Sequence, residues 1–373
     1  MKYIPLFSVH MPKEVDKPLL EVLHSGYIGQ GPKVDEFEKD LAKFLGTPRV
    51  LTLNSGTSAL QLALRLSGVG IGDDVITSPM TCSATNEPIF ALGANIIWAD
   101  VDPDNGLIDP SDIERKITKK TKAIICVDWG GTVCDLDEIM KIGKKYKVKV
   151  IEDSAHAFGA TYKKKMVGTI ADFTCFSFQA IKHITTVDGG LLTCLKDDDY
   201  KRGKLLRWYG IDREAKVAGD SRISVDIPEW GYKFHMNDVN ATIGIVQLKH
   251  VKDILDKHRS NAKHFLDNLD SSYYTHPVTK WPQESSYWIY TLVLPSKSER
   301  IEFIDFMTKN GVASSRVHRR NDEYTAFPKS LNHLKGVTAF YDRETCIPAH
   351  WALTKTDLKK IVKLSNEFAK RKK

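Results

Sequence analysis

The stretch between about residues 48 and 195 alternates short apolar runs with segments of helical periodicity, and this alternation constrains the fold more than any other feature of the chain. Strands are predicted at residues 50–53, 74–77, 94–98, 123–127, 148–151, 173–176 and 191–195. Amphipathic patterns at 59–66 and 136–146 predict helices between strands. Strands that alternate with helices form βαβ units, so we predict an α/β fold with a mostly parallel sheet and helices on both of its faces.

A change of pattern after residue 251 predicts a second, smaller domain. Helices are predicted at 252–269, 299–310 and 356–371 and a strand at 287–294, without further βαβ repetition, which is typical of an α+β arrangement. The 373 residues also exceed what a single hydrophobic core usually serves. We therefore predict a large domain over residues 1–250, which includes the N-terminal segment, and a small C-terminal domain over residues 251–373.

Charge, hydropathy and cysteine usage limit the class of protein. The net charge of +7 is spread along the chain, and no stripe of Lys and Arg with interleaved aromatic residues indicates nucleic acid. No apolar stretch approaches the ~18 residues that span a bilayer, and the first residues lack the apolar core of a signal peptide. The six cysteines form no CxxC pair, which favours a reducing, cytoplasmic compartment. We expect no nucleic-acid partner, no membrane span and no metal site.

Two residues of the first region combine an amine with an acid. Asp153 follows the apolar run 148–151, at the expected carboxyl end of a strand, where ligands bind in open α/β sheets. Lys182 follows the aromatic run 176–178, and an amine near an apolar strand end is expected to have a lowered pKa. Enzymes that use pyridoxal phosphate (PLP) need a lysine to hold the aldehyde as a Schiff base and an acid to protonate the ring nitrogen. The pair therefore indicates a PLP site, although each residue alone has an ordinary explanation, Asp153 as a helix N-cap and Lys182 as a solvated loop residue.

A phosphate-binding turn is predicted at residues 54–60, where a strand ends and a helix begins. Such a turn brings free backbone N–H groups and the positive end of the helix dipole to one point. By itself it is weak evidence, because Ser and Thr N-caps open many helices that bind nothing. Ser177, five residues before Lys182, could donate its hydroxyl to the same phosphate. His156 could contact the cofactor ring or merely satisfy a buried backbone group.

Several motifs in a fixed order make the pattern specific. They are Gly29-Gln30-Gly31-Pro32, Asn54-Ser55-Gly56-Thr57, Glu152-Asp153-Ser154-Ala155-His156-Ala157, Phe176-Ser177-Phe178 with Lys182, and Gly231-Tyr232-Lys233-Phe234-His235-Met236-Asn237-Asp238. In this order they resemble the DegT/StrS-type sugar aminotransferases, which are fold type I PLP enzymes acting on nucleotide-linked keto sugars. The resemblance runs from about residue 5 to 365, nearly the whole chain.

The resemblance implies how this chain would hold its cofactor. Lys182 would form the Schiff base, Asp153 would pair with the pyridine nitrogen, and His156 would lie against the ring. The residues that would hold the phosphate are Gly56, Thr57 and Ser177. The chain departs from the family at Cys82, which stands where an aromatic residue usually stacks on the cofactor. We expect Cys82 to contact the cofactor nonetheless.

The resemblance also implies how the substrate would be bound. Lys233, in a loop before a predicted helix at 239–248, would reach across the interface of a homodimer into the partner's site. Trp129, which follows an aspartate where the family often has a histidine, and His318 are expected near the substrate. An ordinary surface position for His318 is an equally good interpretation of the sequence alone.

These observations predict a PLP-dependent aminotransferase that converts a nucleotide-linked 4-keto-6-deoxy sugar to the 4-amino sugar, with L-glutamate as donor. A 3-keto sugar aminotransferase would use the same residues and remains open. A sugar dehydratase of the same fold is disfavoured, because those relatives carry histidine in place of Lys182. A non-catalytic regulatory or binding protein is disfavoured by the intact Lys182, Asp153 and Ser177.

Overall fold

A seven-stranded sheet lies at the centre of the computed structural model, which describes residues 3–215, 226–330 and 334–373. The strands of the described residues are β1 (Val50–Leu53), β2 (Asp74–Thr77), β3 (Asn95–Trp98), β4 (Thr121–Val127), β5 (Lys149–Asp153), β6 (Thr161–Tyr162), β7 (Lys165–Met166), β8 (Phe173–Ser177), β9 (Gly190–Cys194), β10 (Gln283–Glu284), β11 (Tyr290–Val293) and β12 (Glu344–Ile347). The central sheet has the order β1-β9-β8-β5-β4-β2-β3. Only β9 runs antiparallel to the other six strands of this sheet. The predicted α/β fold with a mostly parallel sheet is confirmed.

Helices connect and cover these strands. They are α1 (Asp16–Leu23), α2 (Pro32–Leu45), α3 (Gly56–Leu66), α4 (Ser83–Ala91), α5 (Pro110–Lys116), α6 (Leu136–Tyr146), α7 (Asp197–Leu206), α8 (Asp238–Asn268), α9 (Lys297–Lys309), α10 (Lys335–Arg343) and α11 (Lys355–Lys372). In the part of the chain that the structure describes, none is long and apolar enough to cross a membrane.

Local sequence explains where the helices nearest the sheet begin. Ser55 ends the turn after β1, and its side chain accepts a hydrogen bond from the Ser58 N–H as the N-cap of α3. Leu60 and Leu64 lie four residues apart on α3 and are buried, and α3 packs on β8 and β9. The N-terminus of α3 is thereby fixed beside the end of β8, which is where the functional site lies.

Helix α8 runs without a break through 31 residues and reaches two hydrophobic cores. Ala241, near its beginning, belongs to the core that surrounds the central sheet. Phe265, near its end, belongs to a second core with β11, α9 and α11. The helices predicted at 239–248 and 252–269 are therefore one helix. The charged residues in its middle face solvent, so they do not end the helix. The predicted boundary between residues 250 and 251 falls inside this helix, and the division into domains stays a prediction.

Candidate active site

A cavity of about 400 Å³ opens at the carboxyl ends of β5 and β8. Its described lining comes from the turn before α3, the start of α4, the ends of β5 and β8, the loop 178–189, and segments around Trp288 and His318. The carboxyl ends of parallel strands are the usual place for ligands in open α/β sheets. The loop 178–189 carries Lys182, which is predicted to bind the cofactor covalently, and β5 ends at Asp153, which is predicted to pair with its ring nitrogen. Both residues line this cavity.

Lys182 presents to this cavity an amine that is less basic than that of an ordinary lysine and can therefore lose its proton more readily. Its side chain is partly accessible from the cavity, and burial lowers the pKa of its amine to about 8. In the described residues, Nζ forms no hydrogen bond or ion pair; it lies 3.8 Å from the centre of the Trp288 ring. A useful fraction of the amine is therefore neutral near neutral pH.

Asp153 is a buried carboxylate held by two donors. The Thr85 hydroxyl donates to Oδ2 at 2.7 Å, and the Ala155 N–H donates to Oδ1 at 3.1 Å. Burial raises the pKa of Asp153, while these hydrogen bonds and the charge of Lys182 oppose the rise. Each carboxylate oxygen has two lone pairs, so acceptor capacity remains for a ligand.

Two histidines and a tryptophan form an aromatic group on another side of the cavity. The rings of His156 and Trp288 stack with their centres 3.9 Å apart, and His156 and His318 are nearly parallel at 5.6 Å. Burial lowers the pKa of His156 well below its usual range and that of His318 to about 4. Both imidazoles are therefore neutral at pH 7, and each has one donor and one acceptor nitrogen.

The predicted phosphate-binding residues form a close cradle. Gly56, Thr57 and Ser177 all line the cavity. A Cβ on Gly56 would lie 3.1 Å from the Ser177 Cβ, and a Cβ on Gly190 would lie 2.3 Å from the backbone of Ser55. The start of α3 therefore lies closer to β9 than a side chain at Gly190 would permit, and a side chain at Gly56 would push against β8. The first N–H groups of α3 have no partner within the helix and are directed at this point.

The other predicted residues lie at different distances from the cavity. Cys82 lines it as the N-cap residue of α4. Trp129 is buried behind the lining, where its ring meets those of His156 and His318 edge to face. Lys233 is exposed on the surface and is absent from the described lining of this cavity. Within one chain the structure therefore brings together every predicted cofactor residue but not Lys233.

Two residues of the site were missed from the sequence. Thr85 lies three residues after Cys82, and helical spacing places these positions on the same side of α4. That spacing is the one signal that pointed to Thr85. Trp288 precedes β11 in the second half of the chain, and nothing in its local sequence indicated that it meets Lys182.

These positions fit a ligand with a carbonyl group, a basic ring nitrogen and a phosphate. Lys182 offers an amine to the carbonyl, Asp153 has acceptor capacity for a protonated ring nitrogen, and the cradle at Gly56 leaves backbone donors for a phosphate. PLP has these three groups. The sheet with this cavity at its strand ends thus defines a PLP-dependent transferase of fold type I.

The particular family follows from comparison with known sequences. The sequence model of the DegT/DnrJ/EryC1/StrS aminotransferase family matches residues 10–365, and this chain belongs to that family. It is 36% identical over 274 residues to the UDP-4-amino-4-deoxy-L-arabinose–oxoglutarate aminotransferase of Shewanella sediminis, covering 72% of this chain and 69% of the relative. It is 32% identical over 350 residues to the UDP-4-amino-4,6-dideoxy-N-acetyl-beta-L-altrosamine transaminase of Campylobacter jejuni, covering 91% of each.

A solved structure agrees with the sequence relatives. The PMP-form of the sugar aminotransferase Spr1654 from Streptococcus pneumoniae superposes with a TM-score of 0.92 at 31% identity and covers 99% of both chains. Its PLP-form superposes with a TM-score of 0.89 at 30% identity. The chain is thus a PLP-dependent enzyme of the nucleotide-sugar aminotransferase family, and its cofactor is PLP.

Proposed function

We propose that this chain transfers the amino group of L-glutamate to a nucleotide-linked 4-keto-6-deoxy sugar and so forms the 4-amino sugar. The observation that carries the proposal is the placement of the Lys182 amine and the Asp153 carboxylate in one cavity with the cradle at Gly56. The names of two relatives support the finer assignment. Both names describe 4-amino sugars, and the name of the Campylobacter jejuni relative describes a 4,6-dideoxy sugar. The name of the Shewanella sediminis relative includes oxoglutarate, the keto acid formed when glutamate gives up its amino group.

Lys182 has two tasks in this proposal. Its amine would hold the cofactor covalently, and Nζ, when free, would accept and return a proton beside the reacting carbon. The lowered pKa of about 8 suits both tasks, because the amine must alternate between neutral and charged forms. Asp153 would keep the ring nitrogen of PLP protonated, and PLP would supply an electron sink when bound.

Two further groups are suited to bind the sugar. His318 Nε2 and Trp129 Nε1 are buried polar atoms without a hydrogen-bond partner among the described residues. Buried polar atoms in folded proteins nearly always have a hydrogen-bond partner. Two such atoms without one therefore favour a ligand with hydroxyl or carbonyl groups. His318 lines the cavity, whereas Trp129 lies behind it and would need a ligand that reaches past the imidazoles.

The cavity of one chain has little positive charge. Among its described lining residues, Lys182 is the single lysine or arginine. The two carboxylates of glutamate and the diphosphate of a nucleotide need further cations. Lys233 and Arg213 lie together on the surface, where both approach the ring of Trp208, at 5.8 Å and 4.5 Å. We propose a homodimer in which two-fold symmetry brings this basic group to the partner's cavity.

A panel of nucleotide-linked 3-keto and 4-keto sugars tests the substrate assignment. The purified chain with PLP should change its cofactor absorbance on addition of L-glutamate, and the 4-keto sugar should then restore the original spectrum. NMR of the product should place the new amine at C4. A product aminated at C3 would replace the proposal by the 3-keto alternative, and no spectral response to any amino donor would contradict the assigned donor.

Borohydride reduction tests the anchor separately from the substrate. Reduction of the loaded enzyme should fix the cofactor on Lys182, which mass spectrometry of the digest identifies. Lys182→Ala should lose transamination while the cradle still binds PLP weakly. Cofactor fixed on a different lysine would show that the assignment of Lys182 is wrong.

A further inference from the structure

Trp288 makes a cation–π contact with the Lys182 amine, which forms no hydrogen bond or ion pair among the described residues. Its side chain is buried, and Nζ lies over its ring at 3.8 Å from the centre. An ammonium over the face of an indole is attracted by the negative face of the ring, and the attraction grows when water is excluded. Tryptophan gives the strongest such contact of the aromatic side chains.

The indole is fixed in place by its neighbours. Its Nε1–H donates to the carbonyl of Ile181 at 2.8 Å, one residue before Lys182. Its ring stacks with Phe7 at 4.6 Å and with His156 at 3.9 Å between ring centres. Because the hydrogen bond reaches the backbone that carries Lys182, the ring and the amine keep a constant geometry relative to each other.

The segment that carries Trp288 is clamped and strained. The Ser286 hydroxyl donates to the carbonyl of His156 at 2.9 Å, and the imidazoles of His183 and His258 bond the carbonyls of residues 286 and 287 at 3.0 Å and 2.8 Å. Tyr287 adopts a φ of 47°, in the left-handed region that is unfavourable for a bulky side chain. Such strain persists only where the surroundings enforce it, and here it directs Trp288 to the site.

We propose that Trp288 is a positioning residue that holds the amine of Lys182 over its indole face and stabilises the ammonium form. The inference rests on the proposed role of Lys182. The contact affects how readily Lys182 loses its proton. The other titratable groups that interact with the amine are Asp153, Cys82, His156, His183 and His318. Of these, Asp153 and Cys82 favour the ammonium, whereas the neutral imidazoles add no charge. The indole adds an attraction that burial alone would not give.

The test measures the pKa of Lys182 in the full chain after removal of PLP. Acetic anhydride labels neutral amines, and mass spectrometry gives the rate at Lys182 across pH. Trp288→Leu keeps an apolar residue but removes the aromatic face, so the pKa of Lys182 should fall by about half a unit to one unit. Trp281→Leu is the matched control, because Trp281 also donates its Nε1–H to a loop carbonyl but is absent from the described cavity lining. It should leave the pKa unchanged.

A polyfluorinated tryptophan at position 288 covers the case in which Trp288→Leu fails to fold. It keeps the size and the Nε1–H donor but weakens the negative face, so it should lower the pKa of Lys182 in the same direction. An unchanged pKa in the folded Trp288→Leu variant or in the fluorinated protein would overturn the proposal, as would an equal shift in Trp281→Leu. The labelling needs neither substrate nor cofactor, so its outcome is separate from that of the substrate panel.

Discussion

The Thr85 hydroxyl donates to Asp153 Oδ2 at 2.7 Å, although 68 residues separate them in the chain. The Thr85 oxygen is also 2.6 Å from that of Thr81. Because an ionised carboxylate only accepts, Thr85 must donate to Asp153, and Thr81 is left to donate to Thr85. The two hydroxyls form a short polarised chain that favours the ionised form of a carboxyl group whose burial opposes ionisation.

Thr85→Val should therefore raise the pKa of Asp153 further. Since the proposed reaction needs the carboxylate, the acid limb of the kcat/KM profile should move to higher pH, and activity on that limb should fall about 10-fold. Thr85→Ser, which keeps the donor, should stay close to the original profile. A profile for Thr85→Val that superposes on the original would contradict this role.

Lys182→Met should stabilise the chain without PLP at pH 7. The folded-state pKa of about 8 lies below the ordinary value of 10.5, so at pH 7 the folded protein retains a buried ammonium that the variant lacks. We expect a gain of about 1 to 2 kcal/mol in the free energy of unfolding, discounted for partial hydration. The gain should shrink as pH rises from about 8 to 10.5, because the wild-type penalty is lost there. Denaturant unfolding at several pH values measures it, and a gain independent of pH would refute the cause.

Gly56→Ala should weaken the binding of PLP. The added methyl would meet Ser177 at 3.1 Å and would widen the cradle, so the dissociation constant should rise about 10-fold. Gly29→Ala is the matched control, since a Cβ there meets nothing within 4 Å. Cofactor fluorescence or absorbance titration gives both constants. Equal affinities for the two variants would show that the close approach does not serve the phosphate.

A complementation experiment tests the shared site. Lys182→Ala chains and Lys233→Ala chains should each be inactive or nearly so. In a mixed dimer, one site would combine the intact Lys182 of one chain with the intact Lys233 of the other, and random exchange should restore about a quarter of the full activity. Persistent inactivity despite exchange confirmed by mass spectrometry would show that each site uses its own Lys233.

The sequence was most informative where a residue's function depends on its immediate neighbours. Asp153 ends an apolar strand, and this position alone placed it at the ligand-binding edge of a parallel sheet. Trp288 could not be predicted in this way, because its contacts with Phe7 and Lys182 join three distant segments. The family resemblance placed Trp129 near the substrate, but the direction in which a side chain leaves a turn depends on packing, which the local sequence does not show.

The chain's overall architecture was predicted for a similar reason. Strand periodicity is local, and every strand predicted for the central sheet is present in it. The continuity of α8 was not predicted, because Lys252 and Asp253 interrupt the apolar pattern. Charged residues in the middle of a helix are tolerated when they face solvent. The change of pattern therefore marked the point where the helix passes from the first core to the second, and not the end of the helix.

The unbroken α8 also determines where this chain can be cut. Its 31 residues span about 46 Å and offer no turn at which a protease or an engineer could separate the two cores. A fragment ending at residue 250 would expose Ile254's partners in the first core and would lack Phe265 together with nearly all of the second core. The part beyond the sheet is therefore not an appendage that can be exchanged between relatives; a chimera would have to join its parents at a position outside residues 238–268.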